Sequence, residues 1–272
     1  MSQPKPIRRW ICHKLECFTD YIEAYTGMVG SNQSYYLELY AGGGKCICSG
    51  TDCIIDASAL RALKTKFAGC IFIVGNSRDA EDLKQLAAAY GTANIITGNP
   101  LSDKVIQQVF DLIPRSASSL ALIDPPGYRK LRWSIIKKLA AHSKDWKERK
   151  IGLLIVFPLE MALLRNLARP ECQASITRFY GNRRWQEIKQ QRLEGRIGLG
   201  KTRQGLVELY KDGLKALGYR HIIDFKPNYS PPLYHIILAS DGESKAKMLE
   251  EAWGRERYLP CELLYPRKDR KQ

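Results

Sequence analysis

Apolar positions recur along the chain with two different periods. Trp10, Ile11, Leu15, Phe18, Ile22 and Tyr25 return every three or four residues, which predicts an N-terminal helix over about 8–28. The aromatic and aliphatic run 35–40 then reads as a buried strand, and it ends in Ala41-Gly42-Gly43-Gly44. Apolar runs recur at 70–74, 94–97, 119–123 and 151–157, and helical patterns over about 53–67, 79–90, 103–112 and 133–142 separate them. Strands joined through helical crossovers are parallel neighbours. After Phe157 the pattern changes to helical segments at about 160–167, 185–193 and 202–217, read as a helical insertion over about 160–217. Two last strands, 220–225 and 234–239, are joined by a short loop containing Pro and Asn and form an antiparallel pair. A helix near 244–253 and a charged tail, 266–272, complete the chain.

Alternating strands and helices of this kind predict an α/β protein, a Rossmann-like doubly wound sheet of about seven strands with its last strand antiparallel. The expected organisation is one domain over 1–272, with no internal repeat.

Two strand ends carry the chemistry. Glycines at Gly42 and Gly44 permit positive φ and remove Cβ atoms from the path of a ligand. Glu38, four residues earlier, is placed to orient loop amides or to accept a ligand's ammonium group. A tight glycine turn with no ligand explains the same residues. At the other end, Asp124-Pro125-Pro126-Gly127-Tyr128 stops the 119–123 strand, because consecutive prolines donate no backbone hydrogen bonds. Asp124 therefore stands at a strand's carboxyl end, where open α/β sheets bind ligands. As an orienting group it would hold an acceptor in line; as a turn residue it would only cap the chain reversal.

Charge adds a partner to this picture. The 272 residues hold 43 Lys and Arg against 28 Asp and Glu, a formal charge of +15, which predicts attraction to polyanions if clustered and only solubility if dispersed. Arg183, Arg184, Arg196 and Lys201, within the insertion, form the expected nucleic-acid-facing set, with Tyr180 and Trp185 as stacking groups. The segment 195–202 satisfies the phosphate-loop pattern G-x-x-x-x-G-K-[ST], yet it follows a helical pattern instead of a buried strand, so nucleotide hydrolysis is not expected there. Cys46, Cys48 and Cys53 have no zinc-like spacing and no histidine nearby, so no metal site is expected; the eight cysteines read as reduced thiols. No apolar run is long enough to span a bilayer and no secretory leader is evident, which points to the cytoplasm.

Glu38-x-x-x-Gly42-x-Gly44 after the first main strand, paired with Asp124-Pro125-Pro126 after the fourth, resembles motifs one and four of the Rossmann-like S-adenosylmethionine-dependent methyltransferases. The resemblance implies S-adenosylmethionine against Glu38, Tyr40, Ala41, Gly42 and Gly44, and Asp124, Pro125, Pro126 and Tyr128 facing the methyl-accepting atom. Asn76 and Asn99 stand where that superfamily usually carries acids for the ribose and the adenine. Gly127 also separates the prolines from the aromatic that follows them directly in amino-methyltransferases.

Over nearly the whole chain the order of Leu39-Tyr40-Ala41-Gly42-Gly43-Gly44, Ile123-Asp124-Pro125-Pro126-Gly127-Tyr128, Phe157-Pro158-Leu159, Arg178-Phe179-Tyr180-Gly181 and Pro232-Leu233-Tyr234-His235 is similar to the three-Cys-motif partner (TcmP) family. That family is bacterial and associated with mobile elements. Its name refers to a partner protein with three cysteines, so this chain's own cysteines do not bear on the likeness. The resemblance implies either a methyltransferase acting on nucleic acid or a non-catalytic Rossmann-like protein that binds nucleic acid or a partner protein.

Overall fold

A computed structural model of the chain describes residues 3–29, 34–142, 150–225, 235–254 and 265. A short strand, β1 (Lys5–Ile7), leads into α1 (Arg9–Val29). Then follow β2 (Ser34–Ala41), β3 (Lys45–Cys48), β4 (Cys53–Asp56), α2 (Ser58–Lys64), β5 (Gly69–Val74), α3 (Ser77–Ala87), β6 (Ala93–Thr97), α4 (Asp103–Leu112) and β7 (Ser118–Ile123). The rest of the described chain runs α5 (Trp133–Ala140), β8 (Gly152–Phe157), α6 (Gln173–Tyr180), α7 (Trp185–Leu193), α8 (Leu199–Ala216), β9 (His221–Phe225), β10 (His235–Ser240) and α9 (Glu243–Gly254).

Seven strands form one sheet in the order β6-β5-β2-β7-β8-β10-β9. β5 is parallel to both β2 and β6, β8 is parallel to β7, and β10 is antiparallel to both β8 and β9. With helices flanking it, this is a Rossmann-like α/β sheet, closed by the antiparallel strand expected from the sequence. The loop between β9 and β10, including Pro232, Leu233 and Tyr234, and the tail 266–272 lie outside the described residues.

One expected helix is corrected. The stretch 53–67 begins as a strand, Cys53–Asp56, which pairs antiparallel with β3 and joins β1 in a separate three-stranded sheet. Only Ser58–Lys64 is helical. Cys46 and Cys48 alternate with Lys45 and Ile47 between buried and less buried positions, a period of two carried by residues too few to stand out beside Leu60 and Leu63. Asp52, at φ 57, turns the hairpin.

The chain divides into two compact units, Met1–Ser119 with Lys247–Gln272 and Leu120–Ala246. In the first, α1 buries Phe18, Tyr21, Ile22 and Tyr25. Tyr25 and Tyr36 both pack on Phe67, with ring centroids 6.1 and 5.4 Å away. At about 25 cal/mol per Å2 of apolar area removed from water, such large buried rings contribute substantially to the unit's stability.

In the second unit the insertion is built on its own aromatic core. Phe157, Phe179, Tyr180 and Tyr210 meet with centroids 5.0–6.5 Å apart, and Trp133 stands edge-on to Tyr210 at 5.0 Å. Gly181 and Gly213 leave room for the Trp133 ring; a Cβ at either would lie 2.3 or 2.7 Å from it.

Candidate functional site

In the first unit the carboxyl ends of the parallel strands β2, β5 and β6 lead into glycines 42–44, Gly75-Asn76 and Gly98-Asn99. Parallel pairing places these three turns on one edge of the sheet. β2 carries one extra residue against β5 between Glu38 and Ala41, a bulge that re-aims the strand just before the glycine loop.

The three glycines differ. Gly44 has φ +90, and a Cβ there would press on Leu83 and Leu86 at 3.1 Å and Leu60 at 3.2 Å, so it is glycine for the fold. Gly42 is exposed, has no positive φ, and a Cβ on it would meet nothing within 4 Å. The positive φ that glycine permits at both positions is used at Gly44 and not at Gly42, where the loop simply carries no side chain.

Glu38 is 2 % exposed. Ser58 Oγ donates to its Oε1 at 2.6 Å and Tyr36 OH to its Oε2 at 3.2 Å, so the carboxylate braces the base of the loop against the start of α2. Tyr40 is half-buried, and burial pushes its phenol well above the ordinary range; Ala41 is buried at the strand's last position.

Asn76 caps α3: its Oδ1 accepts from the Asp79 backbone N–H and its Nδ2 donates to Asp79 Oδ2, both at 2.8 Å. Asp79 also pairs with Lys5 at 2.8 Å. The hydrogen bonds from Lys5 and Asn76 outweigh partial burial and hold its carboxyl below the usual range. A Cβ at Gly43 would lie 3.6 Å from Asp79 Oδ1. An acid, Asp79, thus stands near the glycine loop in the first turn of the helix after β5, whose own end carries Asn76. Sequence reading missed it, although an acid three residues after a strand-terminal Asn is a cap signature. Asn99 is exposed, and its Oδ1 accepts from Leu101 N at 3.0 Å.

The second unit holds the other expected residues. β7 ends at Ile123, as the prolines require, with Asp124 half-buried, Pro125 buried and Pro126 exposed. Tyr128 is 2 % exposed; its hydroxyl accepts from Ser175 Oγ at 3.2 Å and from Arg129 Nε at 3.3 Å, while its ring stands edge-on to Phe179. The aromatic expected on the substrate side is packed inside this unit. β8, parallel to β7, ends on the same edge, and after Pro158 the chain enters a π-helical turn, Leu159–Leu164, whose Glu160 is held by Arg203 of α8.

Arg183, Arg184, Arg196 and Lys201 are all exposed, with Arg196 paired to Glu194. The two stacking groups are corrected. Trp185 and Tyr180 are 0 % and 2 % exposed, Trp185 Nε1 donating to Thr177 Oγ1 at 3.1 Å and Tyr180 OH to the Leu206 carbonyl at 3.0 Å. Their polar atoms are satisfied inside the protein, and no ring face is left for a base. The phosphate-loop pattern is also structural: α7 precedes it, α8 begins at Leu199, and Thr202 is buried with its hydroxyl donating to the Gly198 carbonyl.

Among the described residues no group of three or more His, Cys, Asp and Glu could hold a metal ion, and no helix is long and apolar enough to cross a membrane. No family model matches the chain, and no curated protein matches it. Solved structures do. Protein LPL1258 from Legionella pneumophila str. Philadelphia 1 is similar with a TM-score of 0.50 at 9% identity, over 88% of this chain and 90% of that one. TYW2 from M. jannaschii, in complex with AdoMet, gives 0.40 at 11% identity over 81% and 74%. The proposed methyltransferase yhhF from Escherichia coli gives 0.37 at 18% identity over 53% and 69%. Identities this low speak to the fold alone, and the fold is the Rossmann-like α/β one described above.

Proposed function

We propose that the chain is an S-adenosylmethionine-dependent methyltransferase acting on nucleic acid, a cytoplasmic protein of the three-Cys-motif partner family whose further partner carries three cysteines. The observation that supports it most is the first unit's edge, where three parallel strands end in an open glycine backbone, Asn76 and Asn99. The residues present fit the cofactor there. Gly42 leaves its backbone approachable, and Asp79, beside Gly43, offers a carboxylate for ribose hydroxyls once its bond to Lys5 yields.

When bound, the cofactor supplies an electrophilic methyl group on a sulfonium. The chain's own residues bind and orient. Exposed Gly42, with no side chain in the way, would let a ligand carboxylate approach the loop backbone, while Glu38, fixed by Ser58 and Tyr36, braces the base of the loop. Asp124, just past the end of β7, would serve as the hydrogen-bond acceptor for the methyl-accepting group. Arg183, Arg184, Arg196 and Lys201 hold the phosphate backbone.

A second reading, a non-catalytic Rossmann-like binding protein, is favoured by one observation: Asn76, where the superfamily places its ribose acid, spends both polar atoms on capping α3. Titration calorimetry with S-adenosylmethionine separates the two. Wild-type protein should bind, and Gly42→Val should fold normally, since its side chain meets open space, yet bind no cofactor. No heat from folded wild type at millimolar cofactor sinks the enzyme reading. Given binding, Asp124→Asn should retain it and lose most methyl transfer to DNA or RNA; equal labelling by the variant removes Asp124 from the reaction.

A further inference from the structure

The cysteines that follow the glycine loop converge on one face of the small sheet. Cys48 in β3 stands directly opposite Cys53 in β4, as Cys46 does opposite Ile55, so these four side chains lie on the same side of the hairpin. That side packs on α1, where Cys12 and Leu15 complete an apolar cluster with Cys46, Cys48 and Ile55. Within it the Cys12 and Cys48 sulfurs are 2.7 Å apart, and both residues are 0 % exposed. Both are free thiols, held closer than the ordinary separation of unbonded sulfurs. The backbones of α1 and β3 hold the pair a small shift away from the roughly 2.05 Å of a covalent S–S bond.

We propose that Cys12 and Cys48 form a redox pair that closes to an intramolecular disulfide, tying α1 to β3, when the protein meets a low-molecular-weight disulfide such as oxidised glutathione. Entry is through Cys53, the half-buried member, across the hairpin from Cys48. Its thiolate attacks one glutathione sulfur, giving a mixed disulfide and one glutathione thiolate. The Cys48 thiolate then attacks the Cys53 sulfur and releases the second glutathione. Finally the Cys12 thiolate attacks the Cys48 sulfur, and Cys53 returns to the thiol. Two protein thiols have lost two protons and two electrons, and one glutathione disulfide has become two thiols. The exchange is slow because burial disfavours thiolates; the neighbouring Cys46 thiol is pushed up to about 11 by its burial.

The experiment uses fully reduced protein, which has eight cysteines. Freed of reductant, it is incubated with excess oxidised glutathione under native conditions, then unfolded and alkylated, and read by intact mass and peptide mapping. Two thiols should escape alkylation, the linked peptides should be those of Cys12 and Cys48, and reductant should restore both. Cys53→Ser should form the same bond about tenfold more slowly. Cys48→Ser should leave Cys12 alkylated; should that variant fail to fold, the wild-type map decides alone. Eight alkylated thiols in treated wild type, a bond that forms only in urea, or a link between other cysteines would each overturn the proposal, and a wild-type rate in Cys53→Ser would overturn the entry route.

Discussion

The two units of this chain carry unequal shares of its charge. The first holds 19 Lys and Arg against 16 Asp and Glu; the second holds 24 against 12, and so carries most of the excess. Around the first unit's glycine edge the ions are committed in pairs, Lys5 with Asp79, Arg61 with Glu16 and Lys64 with Asp56. In the second unit Arg183, Arg184 and Lys201 are exposed and make no ion pair among the described residues, while the aromatic rings beside them in sequence are turned inward. Basic residues interleaved with aromatics in sequence need not form a mixed surface. Here the helices sort them, cations outward and rings to the core.

The sharpest break in that sorting is Trp185→Ala. Deleting a fully buried indole that anchors α7 should cost about 3–5 kcal/mol in denaturant unfolding, whereas an exposed stacking residue would cost almost nothing. Next is the set Arg183, Arg184, Arg196 and Lys201 replaced together by Gln. Each lost phosphate contact should flatten the log–log dependence of nucleic-acid affinity on salt by about 0.9, and replacing Lys66, Lys84 and Lys104 of the first unit should leave the slope unchanged. An unaltered slope in the quadruple variant would make that surface merely solvated. Gly44→Ala should lose about 1–2 kcal/mol from its left-handed backbone alone, in contrast to a stable Gly42→Ala.

The smallest effect is read by pH. In the second unit Asp224 is held well below the usual carboxylate range, first by the hydrogen bond from His235 and then by Lys211 at 2.7 Å. A depressed carboxyl contributes stability that is present above its unfolded value, near pH 4, and lost as pH falls toward the folded one. Asp224→Asn should therefore be less stable than wild type by about 1 kcal/mol at pH 7, and the gap should narrow in acid unfolding below pH 4.

Much of this was legible in the sequence because the main strands are buried on both faces and read as unbroken apolar runs. Asp124-Pro125-Pro126 fixed the end of β7 by simple hydrogen-bond chemistry. What escaped was short or tertiary. β1 has three residues, too few for any period. β4 was hidden because Ile54, Ile55 and Ala57 fit a helical stripe as well as a strand; Ile54 proved 59 % exposed. α6 went unread because Ile176, Phe179 and Tyr180 give only one turn of signal. Gly42 and Gly44 look alike in sequence, and only the side chains of Leu60, Leu83 and Leu86 distinguish them.

The order of the last two strands bears on how the protein is made. A ribosome delivers β9 before β10, yet β10 lies between β8 and β9 and is the strand that both pair with on that side of the sheet. Until residue 240 has emerged, the nascent chain presents the open flank of β8 and an orphaned β9, each with unmet amides and carbonyls able to template pairing with a neighbouring chain. Messages truncated before His235 should thus yield aggregates instead of a smaller folded protein, and cells that translate such fragments would need chaperone capture to keep them in solution.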